Sequence, residues 1–119
     1  MATTINSETI KRLANEVGED TVSLLLNVFS DELEQYSKQL SNHPSVDQIG
    51  EISHAIKSSA ASFGADDLAL MAQECEYRVK QGQDDWMIDH LSEFRQMVEG
   101  MVVEYKQLAG SNELINRML

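Results

Sequence analysis

At 119 residues the chain is sized for one domain with a single core, and 42 % of it is hydrophobic, an ordinary globular balance. Its charge is not ordinary: 20 acidic against 9 basic residues leave a formal net charge of -11, which excludes the basic footprint that nucleic acid requires and argues equally against anionic membrane surfaces. The single cysteine, Cys75, rules out an intramolecular disulfide; the start Met1-Ala2-Thr3-Thr4-Ile5 lacks the basic-then-apolar pattern of a leader, and no run approaches the ~18 apolar residues of a membrane span, so a cytoplasmic protein is expected.

One proline and six glycines fall mostly between periodic segments, and no strand-like alternation is sustained, which predicts an all-α protein. The first helix spans about Ser7–Val17, capped by Asn6 or Ser7, with Ile10, Leu13, Ala14 and Val17 as its apolar stripe and Gly18 as its stop. It is short and is expected to lie across one end of the longer helices. The second starts with Asp20 as N-cap, carries Val22, Leu25, Leu26, Phe29, Leu33, Tyr36 and Leu40 on one face, and ends at Ser41-Asn42-His43-Pro44, where proline forbids continuation. The third opens on a capping-box pair, Ser45 and Gln48, and closes at Gly64. Ile49, Ile52, Ile56, Ala60 and Phe63 share a narrow arc that must face the core.

The fourth helix runs from Asp66 or Asp67 to Gln81 behind a stripe of Leu68, Met71, Ala72, Cys75 and Val79, and Gly82 closes it. The tight Phe63-Gly64-Ala65 connection makes the third and fourth helices antiparallel neighbours. The fifth is capped by Asp84 or Asp85 and keeps Met87, Leu91, Phe94, Val98, Met101, Val102, Tyr105 and Leu108 on one face up to Gly110. Matched lengths and short loops predict an antiparallel up-down four-helix bundle with the short first helix as a lid. The predicted domain is 1–110, with 111–119 as an extra turn or a frayed tail.

His54 is the one residue with a chemical argument. It points roughly 160° away from the core arc of its helix. Lys57 and Ser58 stand beside it three and four positions on. Gly50 and Ala61 share its sector, a flat floor of small side chains. A neutral imidazole is a nitrogen nucleophile near pH 7. Lys57 repels a metal cation, and an exposed helix face offers neither an oxyanion hole nor the exclusion of water that a hydrolase needs. What fits is an anion arriving at His54, such as a phosphoryl group, with Lys57 neutralising it and Ser58 offering a hydroxyl. His-x-x-Lys by itself is equally compatible with a solvent-facing pair of no function. His43 reads as a solvated loop residue, His90 as a packed structural histidine, and Cys75 as a small core residue.

The longer run His54-x-x-Lys57-x-Ser59-x-x-x-x-Gly64-Ala65-x-x-Leu68 resembles the signature of histidine-containing phosphotransfer (HPt) domains, and Glu76 matches the glutamate that often ends that pattern. Three positions depart from it: Ser58 replaces a usual glycine, Ala60 a small polar residue, and Cys75 a common leucine. The wording Lys57-Ser58-Ser59-Ala60-Ala61-Ser62-Phe63-Gly64-Ala65 is similar to one quorum-sensing branch of the family, in which Ser58 and Ala60 are regular.

The resemblance implies a phosphocarrier in a His-Asp-His-Asp relay. His54 would accept a phosphoryl group from the receiver domain of a hybrid sensor kinase and pass it to the aspartate of a response regulator. Lys57 and Ser58 would stabilise the phosphate, and Gly50 and Ala61 would floor the receiver's approach. Such a domain is not an independent enzyme, although it can be classed as a histidine phosphotransfer kinase. It binds no cofactor, the receiver bringing the Mg²⁺, and a monomer is expected. The alternative is a helical-bundle adaptor that binds a signalling partner without phosphorylation. A stand-alone hydrolase or metal enzyme would need ligands or a pocket that the spacing around His54 does not supply.

Overall fold

Apolar side chains repeating every three to four residues draw the chain into an antiparallel up-down four-helix bundle with short helices at one end. The computed structural model describes residues 5–119; residues 1–4, the start of the predicted 1–110 domain, lie outside the described residues. The elements are α1 (Ser7–Val17), α2 (Glu19–Leu40), α3 (Val46–Phe63), α4 (Asp66–Lys80), α5 (Asp84–Ala109) and α6 (Asn112–Met118), and among the described residues there is no strand. No helix among them is long and apolar enough to cross a membrane. The molecule measures 43 × 24 × 22 Å. The 26 residues of α5 rise about 39 Å at ~1.5 Å each, close to the longest of these dimensions.

Within the bundle α2 packs chiefly on α5 and α3 on α4. Leu26, Phe29 and Leu33 from α2, Ile49, Ile52, Ile56 and Ala60 from α3, Leu68, Ala72 and Cys75 from α4, and Phe94, Val98, Met101 and Tyr105 from α5 form one buried core. These are the buried members of the predicted stripes; Leu13, Leu25, Tyr36, Met71, Val79, Leu91 and Val102 of the same stripes are half-buried. Phe63 is only partly buried, because it is the last residue of α3 and its ring lies on Phe29 at the core's edge. Val17, the last residue of α1, is exposed.

Helix ends show which local signals act. Ser45 and Gln48 form the reciprocal capping box, at 3.1 and 2.8 Å. Asp20 is not a cap: Gly18, at φ 88°, ends α1 and at once becomes the N-cap of α2, which leaves Glu19 and Asp20 inside the first turn to oppose the helix dipole. Asp84 and Asp85 likewise sit in the first turn of α5, and Gln83 is the N-cap after the turn made by Gly82. Residues 111–119, expected as a turn or frayed tail, contain a helix. Ser111 caps α6 through its hydroxyl, and Ile115 anchors it in the core.

The lid is fastened at the α3–α4 turn. The Asn6 backbone N–H donates to the Gly64 carbonyl at 2.8 Å, its side-chain amide donates to Asp66 at 2.8 Å, and its side-chain oxygen caps α1. Gly64 is required there twice over. Its φ of +85° is left-handed, and a Cβ would lie 3.0 Å from the Asn6 carbonyl oxygen and 3.2 Å from Thr9 Cβ.

Candidate functional site

The site begins with a packing decision between α3 and α4. A Cβ on Gly50 would lie 2.9 Å from Val79 Cγ1, so the bare glycine is what lets the two helices close here. Gly50 was expected only as part of a floor for an approaching partner; it is also a helix–helix contact. The close approach brings Glu76 of α4 beneath the outer face of α3. Its carboxylate is nearly sealed, at 7 % side-chain exposure.

Three positive or proton-bearing groups converge on that carboxylate. His54 Nδ1 lies 2.5 Å from Oε2, Lys57 Nζ donates to Oε1 at 2.6 Å, and Lys80 Nζ is 3.4 Å from Oε2. The hydrogen bond from Lys57, then that from His54, outweigh the opposing effect of burial and hold the Glu76 carboxyl at about 2 instead of its ordinary 4.5. An ionised carboxylate can only accept, so Nδ1 must carry the proton of the ring. The other nitrogen, Nε2, is then left with its lone pair, on a side chain that is 68 % exposed.

Beside the ring lies an open depression of about 550 Å³, lined by Asp47, Gly50, Glu51, His54, Glu76, Val79 and Lys80. Ser58 and Ala61 are exposed on α3 outside its lining, and the Ser58 carbonyl accepts a hydrogen bond from the Ser62 hydroxyl. Lys57 is half-buried rather than exposed, as expected of a side chain folded back onto Glu76. Ser59 donates to Glu32 at 2.9 Å and so ties α3 to α2 on the opposite flank.

The remaining candidates behave as the sequence predicts. His90 is half-buried, stacked on Trp86 with centroids 3.9 Å apart, and its Nδ1 is 2.7 Å from the Trp86 carbonyl oxygen. His43 is an exposed loop residue. Cys75 is buried, and burial pushes its thiol up to about 12, far from a reactive thiolate.

Sequence reasoning missed the centre of this arrangement. Glu76 entered only as a match to a family pattern, and Lys80 not at all. A signal was present: on the helical wheel Glu76 adjoins Ala72 and Val79, an acidic side chain at the edge of a buried stripe, with Lys80 one turn on. Such a carboxylate needs partners from another helix.

A pH measurement tests the cluster. The folded state holds the Glu76 proton more weakly than the unfolded chain does, so the carboxylate's stabilisation is complete above about 4.5 and drains away as the pH falls toward about 2. Glu76→Gln lacks this titration. Wild type should therefore exceed the variant in stability at pH 7, and the gap should narrow steadily between pH 5 and pH 2 in denaturant melts. A gap independent of pH would exclude an ionised, paired Glu76.

The Hpt domain family model matches residues 24–103. The chain is 45 % identical over 98 residues to a protein named phosphorelay protein LuxU from Vibrio cholerae, covering 80 % of this chain and 84 % of that one. It is 46 % identical over 81 residues to the phosphorelay protein LuxU of Vibrio vulnificus, covering 66 % and 70 % of the two chains. For the protein of the same name from Vibrio harveyi the identity is 40 % over 82 residues, 66 % and 72 % of the two chains. No solved structure matches.

Proposed function

The chain belongs to the Hpt domain family, and from that premise we propose that His54 carries a phosphoryl group between receiver domains of a quorum-sensing phosphorelay. It takes the group from the receiver of a hybrid sensor kinase and delivers it to the receiver of a response regulator. The observation that carries the reading is the contact between His54 Nδ1 and the buried carboxylate of Glu76, which aims an unprotonated Nε2 outward.

The chemistry follows from that tautomer. The Nε2 lone pair attacks the phosphorus of a receiver aspartyl phosphate. The N–P bond forms as the P–O bond to the aspartate breaks, and the bonding pair returns to the aspartate carboxylate. No proton has to leave. Nδ1 keeps its hydrogen, and the positive charge that develops on the ring is neutralised by Glu76 beneath it. Delivery to the second receiver is the reverse, with a new aspartate as nucleophile. The receiver brings the reactive aspartate and the Mg²⁺; this chain brings a nucleophile whose position is set by the buried face of α3.

Lys57, held on Glu76, keeps positive charge beside the phosphorylated site and Ser58 offers a hydroxyl, while the small side chains at Gly50 and Ala61 leave room for receiver loops. The protein acts as an intermediate rather than an independent catalyst, as a cytoplasmic monomer. The test is to mix the chain with a Mg²⁺-loaded receiver carrying labelled phosphate. Label should appear on the chain with the acid lability and base stability of a phosphohistidine, and should chase onto a second receiver. If a panel of phosphorylated receivers keeps its label in the chain's presence, the carrier reading fails and the adaptor reading replaces it.

A further inference from the structure

We infer that Lys80, a residue outside the His-x-x-Lys motif, is the cation that moves onto the phosphoryl group when His54 is phosphorylated, while Lys57 stays as the fixed partner of Glu76. The inference rests on the carrier reading and adds a phosphoryl-contacting residue to it. The two lysines share one carboxylate but hold it differently. Lys57 is half-buried and 2.6 Å from Oε1, and its hydrogen bond is the largest cause of the acidic shift of Glu76. Lys80 is 69 % exposed and 3.4 Å from Oε2, a looser contact that costs little to leave.

Position separates them further. Lys80 lines the depression beside His54, whereas Lys57 does not. Lys80 Nζ and His54 Nδ1 contact the same oxygen at 3.4 and 2.5 Å, so the ammonium already lies within about 6 Å of the ring, inside the range of strong charge–charge interaction. Asp47 and Glu51 line the same depression, and their charges repel an arriving phosphoryl group. Lys80 carries the one ammonium charge in that lining, so a dianion on the ring finds its attraction there. Once phosphorylation places positive charge on the imidazole, Glu76 retains both His54 and Lys57, and Lys80 can be released without leaving the carboxylate unmatched.

The experiment measures the equilibrium ratio of phosphorylated chain to phosphorylated receiver in wild type, Lys80→Gln and Lys80→Arg, each also in a Glu76→Gln background. Loss of one charge-assisted contact should shift the ratio toward the receiver by about 3- to 10-fold in Lys80→Gln. Lys80→Arg should keep the wild-type ratio, and the shift should shrink as salt rises. A direct contact predicts that the shift persists in the Glu76→Gln background, whereas a role exercised only through Glu76 predicts that it disappears there. An unchanged ratio in Lys80→Gln, or loss of the effect with Glu76→Gln, overturns the inference while labelled wild type leaves the carrier reading intact. Wild type that takes no label overturns both. Because Lys80 is exposed, its variants keep the fold.

Discussion

His54→Gln should abolish phosphoryl acceptance completely and leave the bundle intact. The imidazole is 68 % exposed, and its recorded polar contact is with Glu76. A glutamine can still donate an amide hydrogen to that carboxylate, so the stability change should stay within about 0.5 kcal/mol, as for surface substitutions generally. The chemistry has no substitute. His90 lies flat against Trp86 in a half-buried setting, with Nδ1 against the Trp86 carbonyl and no carboxylate recorded against its ring. His43 belongs to the loop before α3, where φ is +48°, and has no Glu76 beneath it to fix a tautomer and absorb the developing charge. Circular dichroism should overlay the two proteins, and labelled receiver should transfer to wild type alone. Base-stable label on the variant would locate the acceptor elsewhere and remove the role argued for the His54–Glu76 pair.

Most of the fold is legible along the chain because helical bundles are written in local signals. The Ile49–Ala60 arc, the Ser45–Gln48 box and Gly64 each act within a few residues, and each does in three dimensions what its spacing predicts. Where the reading slips, two signals compete for one position. Asp20 and Asp84 look like N-caps, but Gly18 and Gly82 have already turned the chain with left-handed φ, and the acids move into the first turns. Ile115 falls at the right spacing to bury one face of a terminal helix, yet seven residues are too few for periodicity to speak without the neighbours that cover it.

The site is legible only on its outer side. The outward direction of His54 and the nearness of Lys57 follow from one helix wheel. Glu76 lies 22 positions away from His54 on another helix, and the fact that Gly50 lets Val79 in is likewise a long-range event. No local pattern states that α3 and α4 approach closely enough for a carboxylate to pass under the histidine. The consequence is chemical, since the tautomer of His54, and hence which nitrogen reacts, depends on Glu76. Ser58 and Ala61 share the outward sector with His54, yet the depression opens on its other flank, toward α4 and Lys80.

Phe29→Ala should be the most destabilising single truncation in the bundle. The ring is 1 % exposed. It stacks on Phe63 at 4.8 Å and 21°, and meets Tyr105 edge-on at 4.8 Å and 88°, so one side chain joins α2, α3 and α5. Tyr105 is itself committed, its hydroxyl donating to the Phe63 carbonyl at 2.7 Å. The neighbours therefore cannot collapse into the space without breaking a part-buried hydrogen bond, and the cavity term should be close to its full value. A loss of about 3–5 kcal/mol is expected for such a ring, a large share of the ~5–15 kcal/mol that holds a typical domain. Phe63→Ala removes the other half of the stack from a partly buried position at the end of α3, and should cost less, about 1–3 kcal/mol. Urea unfolding followed by helical circular dichroism orders the two variants. Equal losses, or a Phe29→Ala protein within 1 kcal/mol of wild type, would contradict the packing. At a temperature where the Phe29→Ala variant is still folded, it should accept phosphoryl groups at close to the wild-type rate, because Gly50, His54, Glu76 and Lys80 lie toward the other end of the α3–α4 pair and owe their geometry to Val79.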